Sequence, residues 1–305
     1  MGGGGGPVES AVWGERVPVA GPRESGAAHS AVGELMRPSE DDAAFARWLA
    51  ERAGRLLLEV RAELGHDDPE ALKAAGDKRS HDFLRGELAR WRPDDAVLSE
   101  EDEGARRAWA ANAGPAPDRL RADRVWIVDP LDGTREYSEP GRADWAVHVA
   151  LWVRDAATPH RIAAGAVALP AQGRVLGTDH PPAYPAAPDA GAIRLAASRS
   201  RPPAFLTALA EDLGAELVPM GSAGAKIAAV IAGEVDAYVH AGGQYEWDSA
   251  APVAVATAAG LHASRIDGSA LQYNAANPRL PDLLVCRQEL ASRLLEALRR
   301  HATLT

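Results

Sequence analysis

An apolar segment that turns abruptly into a polar loop, WIVDPLDGTREYSE at 126–139, constrains this chain more than any other feature. Residues 124–128 alternate and then become apolar, as in a strand entering a core, and a proline and a glycine force a turn soon afterwards. The turn therefore follows the C-terminal end of a strand. Asp129 and Asp132 can converge there with the carbonyl of Leu131, and hard oxygen ligands of this kind suit Mg²⁺.

Thr134 adds a hydroxyl group to the same loop. The alternative is an Asx-type turn whose aspartates only hydrogen bond to the backbone, a common use of aspartate beside proline and glycine. We favour a functional loop because it holds two acids and because a second acidic pair, Glu100 and Glu101, precedes it. The loop is therefore predicted to bind a divalent metal and a phosphate.

Composition limits the classes of protein and partner that fit this chain. Its 305 residues, 46% hydrophobic and 25% charged, suffice for one large globular domain or two smaller ones. A formal charge of -10 argues against general affinity for nucleic acid or anionic membranes, which need a basic surface. No apolar run approaches the roughly 20 residues of a membrane helix, and the single cysteine, Cys286, fits a reducing compartment. We therefore expect a cytoplasmic protein without nucleic-acid or membrane partners.

The N-terminal segment differs in composition from the rest of the chain. Residues 1–38 are rich in Gly, Pro, Glu and Ser and show little apolar periodicity, so we expect a disordered extension. A capping box of Ser39 with Asp42 predicts the start of a long amphipathic helix. A second helix is predicted at about 78–91, which places Asp77 near a helix start.

Strand and helix signals divide the remaining chain into two halves. Short strand patterns separated by turn signals predict an α+β N-terminal domain at 39–185, with helices on a mainly antiparallel sheet. The Pro- and Ala-rich segment at 178–192 has no periodicity and marks the boundary. At 186–305 strands and helices alternate, which predicts a layered α/β domain.

Four acidic segments stand beside predicted element ends rather than on amphipathic faces. They contain Asp77, Glu100 with Glu101, Asp129 with Asp132, and Asp248. Carboxylates within about 4 to 6 Å raise one another's pKa unless a metal or a base offsets their charge. Two or three Mg²⁺ ions would therefore stabilise such a cluster. A solvated charge run remains an alternative for the glutamate pair, and a helix N-cap is the simpler interpretation of Asp248 alone.

Three motifs resemble, in order and spacing, those of the inositol monophosphatase superfamily: LSEE at 98–101, WIVDPLDGT at 126–134 and EWDSAAP at 246–252. The members of that superfamily are Mg²⁺-dependent, lithium-sensitive phosphatases with a layered α-β-α-β-α sandwich fold. The resemblance covers nearly everything after residue 38. Within it, LSEE, DPLDGTREY with an acidic residue after Arg135, GRADWAVHVAL and HAGGQYEWDSAAP look most like the CysQ type of 3'(2'),5'-bisphosphate nucleotidase.

The resemblance implies a ligand set for two metal ions. Glu100, Asp129 and the Leu131 carbonyl would hold one Mg²⁺ ion. Asp129, Asp132 and Asp248 would hold the second, so that Asp129 bridges the two ions.

The same resemblance implies the catalytic and substrate-binding residues. Asp77 matches an acid that helps to position a third, more weakly held ion, and Thr134 with Glu100 would orient and activate a water for in-line attack on phosphorus. The implied substrate-binding residues are Asp132, Gly133, Thr134, Gly221, Ser222, Lys226 and Asp248.

The segment MGSAGAK, residues 220–226, ends a predicted strand and opens a predicted helix, so its amides and small residues suit an anion. A tight packing turn is the alternative. In the family this region lines the non-reacting end of the substrate, which makes Lys226 a candidate for a 5'-phosphate. Arg199 and Arg201 could add positive charge near the substrate, or they could belong to a solvated loop. His240, Tyr245 and Trp247 could border a base, or they could serve only in packing.

The activity implied by the resemblance is release of the 3'-phosphate of 3'-phosphoadenosine 5'-phosphate to give AMP, or of its sulfated form to give APS, within sulfate assimilation. The same chemistry on inositol monophosphate or fructose 1,6-bisphosphate is the alternative, because the metal loop does not read the leaving group. A calcium-binding regulatory protein fits less well, since Asp129 and Asp132 lack the alternating third ligand of an EF-hand. The resemblance also implies inhibition by Li⁺ and a homodimer.

Overall fold

Two five-stranded sheets, one from each half of the chain, form the framework of a computed structural model that describes residues 38–101, 118–186, 191–200, 202 and 204–301. Residues 1–37 of the predicted disordered extension lie outside the described residues, as does Arg201. Residues from Pro38 onward form one compact unit. The predicted domain boundary at residue 185 stays a prediction.

The first half contains three helices and five strands in the described residues. They are α1 Asp42–Leu64, α2 Pro69–Trp91, β1 Ala96–Ser99, β2 Arg124–Asp132, α3 Thr134–Ser138, β3 Ala146–Val153, β4 Ile162–Leu169 and β5 Arg174–Gly177. The strands pair in sequence order, with β1 parallel to β2 and every later pair antiparallel. The predicted mainly antiparallel sheet is thus present.

The second half alternates between strands and helices. Its elements are β6 Arg194–Ser198, α4 Leu206–Leu213, β7 Glu216–Met220, α5 Ala223–Ile231, β8 Ala237–Tyr245, α6 Glu246–Ala258, β9 His262–Ser264, β10 Arg279–Cys286 and α7 Ala291–His301. The strand order is β7-β6-β8-β10-β9, in which β6 is parallel to both neighbours and β10 is antiparallel to both of its own. No helix in the described ranges is long and apolar enough to span a bilayer.

Three hydrophobic cores lie between the layers, and the alternation of side chains along each strand explains which residues enter each core. In β2, Trp126 and Val128 join the core under α1 and α2, while Val125 and Ile127 face the opposite core with α5 and α6. Both faces of the strand are buried, which is why its sequence is a continuous apolar run. The second sheet contacts α5 and α6 on one face and packs α4 and α7 on the other. The layers therefore follow the predicted α-β-α-β-α order.

The predicted starts of the first two helices are wrong. Asp41, not Ser39, caps α1, because its carboxylate accepts a hydrogen bond from the Ala44 amide. Helix α2 begins at Pro69, where Asp68 accepts from the Ala71 amide and the proline occupies the first turn. As a result Asp77 lies in the middle of α2 rather than near its start.

Candidate functional site

A β-bulge at the end of β2 sets the direction of the two loop aspartates. Asp129 pairs with His148 of β3 and Asp132 pairs with Ala146, so three steps on β2 match two steps on β3. Side chains three apart in a regular strand point to opposite faces, and one extra residue brings them to the same face. Pro130 lies inside this irregular step, where its missing amide costs no ladder hydrogen bond.

The helix α6 brings a third carboxylate to this pair. Ligand atoms of Asp129, Asp132 and Asp248 lie within 4.8 Å of one another, and Asp129 is only 1% exposed. Burial and then the charges of neighbouring carboxylates raise the pKa of Asp129 and of Asp248 well above the usual value. Three hard oxygen donors that repel one another in a buried cluster fit a divalent cation, which would remove the repulsion.

Glu100 adjoins the cluster because β1 and β2 are parallel. Ser99 is in register with Val128, so Glu100, the first residue after β1, follows Ser99 on the side where Asp129 continues β2. The charge of Glu100 contributes to the raised pKa of both Asp129 and Asp248. The structure therefore brings together the four carboxylates that were predicted to bind metal, which are those of Glu100, Asp129, Asp132 and Asp248.

One face of α2 packs against the loop that carries Asp129 and Asp132. Ser80 donates a hydrogen bond to the Pro130 carbonyl at 2.7 Å, and the His81 ring nitrogen lies 3.1 Å from the Ser99 hydroxyl. Asp77 precedes Ser80 by three residues and His81 by four, and positions at that spacing share a helix face. Its charge also contributes to the raised pKa of Tyr137, which places it near the same loop.

Gly133 permits the approach of the two halves at the site. It adopts φ of 87° and caps the short helix α3, of which Thr134 is the first residue. A Cβ atom there would lie 3.1 Å from the Ser222 side chain and 3.3 Å from the Asp144 carbonyl. A larger residue would therefore be strained in its backbone and crowded by the second half.

Asp132 is held by residues from the second half of the chain. Its Oδ2 accepts hydrogen bonds from the Ser222 hydroxyl at 2.5 Å and from the Gly224 amide at 2.7 Å. Ser222 caps α5 with φ of 50°, and its hydroxyl accepts from the Ala225 amide. Residues 220–226, which were predicted to line the substrate and are called the substrate loop below, thus directly orient a candidate metal ligand.

The start of α6 is fixed by two acids. Asp248 is the third residue of the helix rather than its N-cap, and it accepts the Tyr245 amide at 2.6 Å. Glu246 accepts the amides of Asn274 and Ala275 at 2.6 and 2.8 Å. Burial raises the pKa of Glu246 to about 7, although these amides oppose the shift. Glu246 therefore anchors the helix that carries Asp248.

Lys226 lies deeper than a surface phosphate ligand. It is 4% exposed, and its Nζ donates to the carbonyls of Gly221 and Ser222 at 3.3 and 2.9 Å. Burial lowers its pKa, while nearby carboxylates, of which Asp132 is the strongest, oppose that shift. Its predicted contact with a 5'-phosphate stays a prediction.

Sequence reasoning missed a polar cluster at the substrate loop. Asp144 accepts the Gly221 amide at 2.6 Å and contacts Arg199 at 3.3 Å. Glu136 is buried, and a Cβ atom on Gly221 would lie 2.2 Å from its carboxyl carbon. The only sequence signal was that both acids stand in segments resembling the family. His148, an isolated histidine in an apolar strand, was missed as well.

The remaining aromatic candidates lie on β8 and in the first turn of α6. Tyr245 and Trp247 stack with ring centroids 4.7 Å apart, and Trp247 is buried. The His240 ring nitrogen lies 2.5 Å from the Gly242 carbonyl. Packing therefore accounts for Trp247, whereas contacts of Tyr245 and His240 with a base stay predictions.

The fold and this carboxylate cluster define the class of protein. The chain belongs to the inositol monophosphatase family, whose sequence model matches residues 39–303. The predicted family and fold are thereby confirmed, and the Mg²⁺ dependence typical of the family agrees with the acidic cluster.

Two named phosphatases and one solved structure are similar to most of this chain. A 3'-phosphoadenosine 5'-phosphate phosphatase of Mycobacterium bovis is 53% identical over 248 residues, which cover 81% of this chain and 89% of the relative. A protein of the same name from Mycobacterium leprae is 50% identical, covering 85% and 93%. An inositol monophosphatase structure from Zymomonas mobilis shares the fold at 21% identity, with a TM-score of 0.66 and coverage of 87% and 100%.

Proposed function

We propose that this protein is a Mg²⁺-dependent phosphatase that hydrolyses the 3'-phosphate of 3'-phosphoadenosine 5'-phosphate to give AMP. The observation that carries this proposal is the 53% identity to a phosphatase of that name over 81% of the chain. The cluster of Asp129, Asp132 and Asp248 supports the reaction class. The sulfated nucleotide, which would give APS, belongs to the same substrate class.

Two or three Mg²⁺ ions are part of the proposal. Glu100, Asp129, the Leu131 carbonyl, Asp132 and Asp248 would hold them. Bound Mg²⁺ acidifies water and neutralises charge on a phosphoryl group. Inhibition by Li⁺ and a homodimer complete the proposal, and the family resemblance supports them. A cytoplasmic location is also proposed, and the single cysteine supports it.

The chain's own residues would orient the reactants. The Thr134 hydroxyl and the Glu100 carboxylate would position the attacking water, and Asp77 would extend the acidic surface around it. The amides of Gly133 and Thr134 would donate to the phosphoryl oxygens, where fixed donors stabilise developing negative charge. Asp132 already has one oxygen engaged by Ser222 and Gly224, which limits its movement during the reaction.

A substrate panel tests the proposed substrate directly. We expect kcat/KM to be highest for 3'-phosphoadenosine 5'-phosphate, compared with inositol 1-phosphate and fructose 1,6-bisphosphate under the same Mg²⁺ concentration. Release of phosphate with AMP as the coproduct is the measured result. A preference for inositol phosphate over the nucleotide would overturn the substrate but leave the reaction class intact.

Arg199 is a candidate for the substrate's second phosphate. Its guanidinium lies 3.5 Å from Glu136 and 3.3 Å from Asp144, and the side chain is 37% exposed. These contacts are long for charge-assisted hydrogen bonds, so a phosphate could compete for the same group.

Replacing Arg199 with alanine is therefore expected to raise KM for the bisphosphate by about 10-fold or more, as loss of one charged hydrogen bond predicts. The change for 3'-AMP, which lacks the 5'-phosphate, is expected to be small. Arg174→Ala is a matched control, because Arg174 is also about one-third exposed and pairs with Glu234 at 3.3 Å. Equal effects of Arg199→Ala on both nucleotides would exclude a role at the second phosphate.

A further inference from the structure

His148 is a buried polar residue in the middle of β3, which is otherwise built from apolar residues and packed on both faces. The residue is 0% exposed. Its Nε2 atom is buried and makes no well-aligned hydrogen bond in the part of the chain that the structure describes, although a carboxylate oxygen of Asp132 lies nearby. A buried polar atom without a partner costs free energy, so an apolar side chain would serve better if the position only filled space.

The imidazole lies between two separate pieces of the candidate metal centre. Its Nδ1 is 3.0 Å from the carbonyl oxygen of Trp247, the residue that directly precedes Asp248. Its Nε2 is 3.3 Å from Oδ2 of Asp132. One rigid ring therefore spans the loop that carries Asp132 and the helix that carries Asp248.

The substrate loop completes the enclosure of this ring. A Cβ atom on Gly224 would lie 2.0 Å from Nε2 of His148, so only glycine fits beside the imidazole. The amide of the same glycine donates to Asp132. The imidazole consequently cannot shift without moving either the candidate ligand or the start of α5.

We infer that His148 is a positioning residue for the metal centre, which sets the separation of Asp132 and Asp248 from one another. The inference rests on the proposed metal site but not on the proposed substrate. Side chains that hold metal ligands in place typically contribute 10- to 100-fold to metal affinity, which is about the effect expected here. The ring acts through the Asp132 carboxylate and through the Trp247 carbonyl next to Asp248, so its role is positioning rather than direct participation in the reaction.

Metal binding to the purified full-length chain tests this role without any substrate. Mn²⁺ binding, followed by calorimetry and by electron paramagnetic resonance of the free ion, is compared for wild type, His148→Leu and His148→Asn. We expect His148→Leu to weaken binding by about 10- to 100-fold. His148→Asn keeps a polar group that can reach one of the two oxygens, and we expect an intermediate affinity.

The stability of the metal-free protein separates positioning from packing. Leucine removes the Nε2 atom that makes no hydrogen bond but also the Nδ1 contact with the Trp247 carbonyl, so the two effects oppose each other and the melting temperature of metal-free His148→Leu is expected to stay close to that of wild type. Val149→Ala, at a neighbouring buried position that faces the other core, is the matched control. It should lower the melting temperature and leave Mn²⁺ affinity unchanged.

Wild-type Mn²⁺ affinity in both His148 variants would overturn the inference, as would equal losses of affinity in Val149→Ala. If His148→Leu does not fold, the affinity of His148→Asn decides alone. The proposed substrate can fail in the nucleotide panel while these binding results still stand, so the two failures are distinguishable.

Discussion

Replacing Asp129 with asparagine is expected to abolish turnover while the fold persists. Asp129 is 1% exposed and shares its cluster with Asp132 and Asp248, so the change removes one charged donor without changing the shape of the residue. A metal supplies several kcal/mol of transition-state stabilisation, and tenfold in rate corresponds to about 1.4 kcal/mol. We therefore expect kcat/KM to fall by roughly a thousandfold or more.

Unfolding in EDTA distinguishes this loss from misfolding. Without metal the three carboxylates repel one another, so the Asp129→Asn protein should be at least as stable as wild type in urea. Asp155→Asn, at an exposed position on the turn after β3, is the control and should keep full activity. Turnover near the wild-type rate in the Asp129 variant would exclude the proposed ligand set.

Replacing Asp236 with asparagine is expected to cause a large loss of stability although it lies outside the proposed metal site. Its Oδ1 lies 3.1 Å from Arg287, which is 1% exposed, and 3.1 Å from Arg194. Arg287 also donates to the carbonyls of Pro185 and Ala186, which ties the predicted linker to β10. Leaving such a buried cation without its carboxylate costs about 3–5 kcal/mol in the free energy of unfolding.

The lowered pKa of Asp236 determines how the stability contributed by this residue changes with pH. Burial alone would raise the pKa of Asp236, but hydrogen bonds from Arg194 and Arg287 outweigh burial and hold the pKa below its usual value. A carboxyl with a lowered folded-state pKa stabilises the protein above its unfolded-state pKa, about 4, and loses that contribution as the pH falls through the folded-state pKa.

Urea unfolding at several pH values measures this difference. The gap in unfolding free energy between wild type and Asp236→Asn should be full near pH 7 and should narrow below about pH 4. Asp212→Asn is the control, since Asp212 forms an exposed pair with Arg300 and such pairs contribute little. A gap that does not change with pH would argue against the ion pair as the source of stability.

Local sequence signals predicted most of the architecture, because they report burial directly. The continuous apolar run in β2 and the strand and helix alternation after residue 193 indicated the two sheets and their layers. The start of α2 was missed because Leu72 is the only large apolar residue of the helix before Phe83, which is too few to show a helical periodicity. Its real signal, Asp68 followed by a proline, is a capping pattern rather than a periodicity.

At the candidate site, too, local sequence signals were visible but contacts between distant parts of the chain were not. Acids beside strand and helix ends were visible in the sequence, and the structure brings Asp129, Asp132 and Asp248 together. His148 was not predicted, because its role depends on oxygens that reach it from Asp132 and Trp247. No local pattern specifies such partners, since tertiary packing alone brings them within contact distance.

The hydrogen bonds to Asp132 have a consequence for the order of folding. Its carboxylate is held by Ser222 and Gly224, which lie 90 and 92 positions later in the chain. Contacts of such long range form slowly, because loop closure must precede them. A partly folded chain would therefore lack the complete cluster, and Mg²⁺ would bind and stabilise only the chain whose two sheets have already docked. The metal would then act in the cell as a selective ligand of the finished fold, protecting it from proteolysis that begins with local opening.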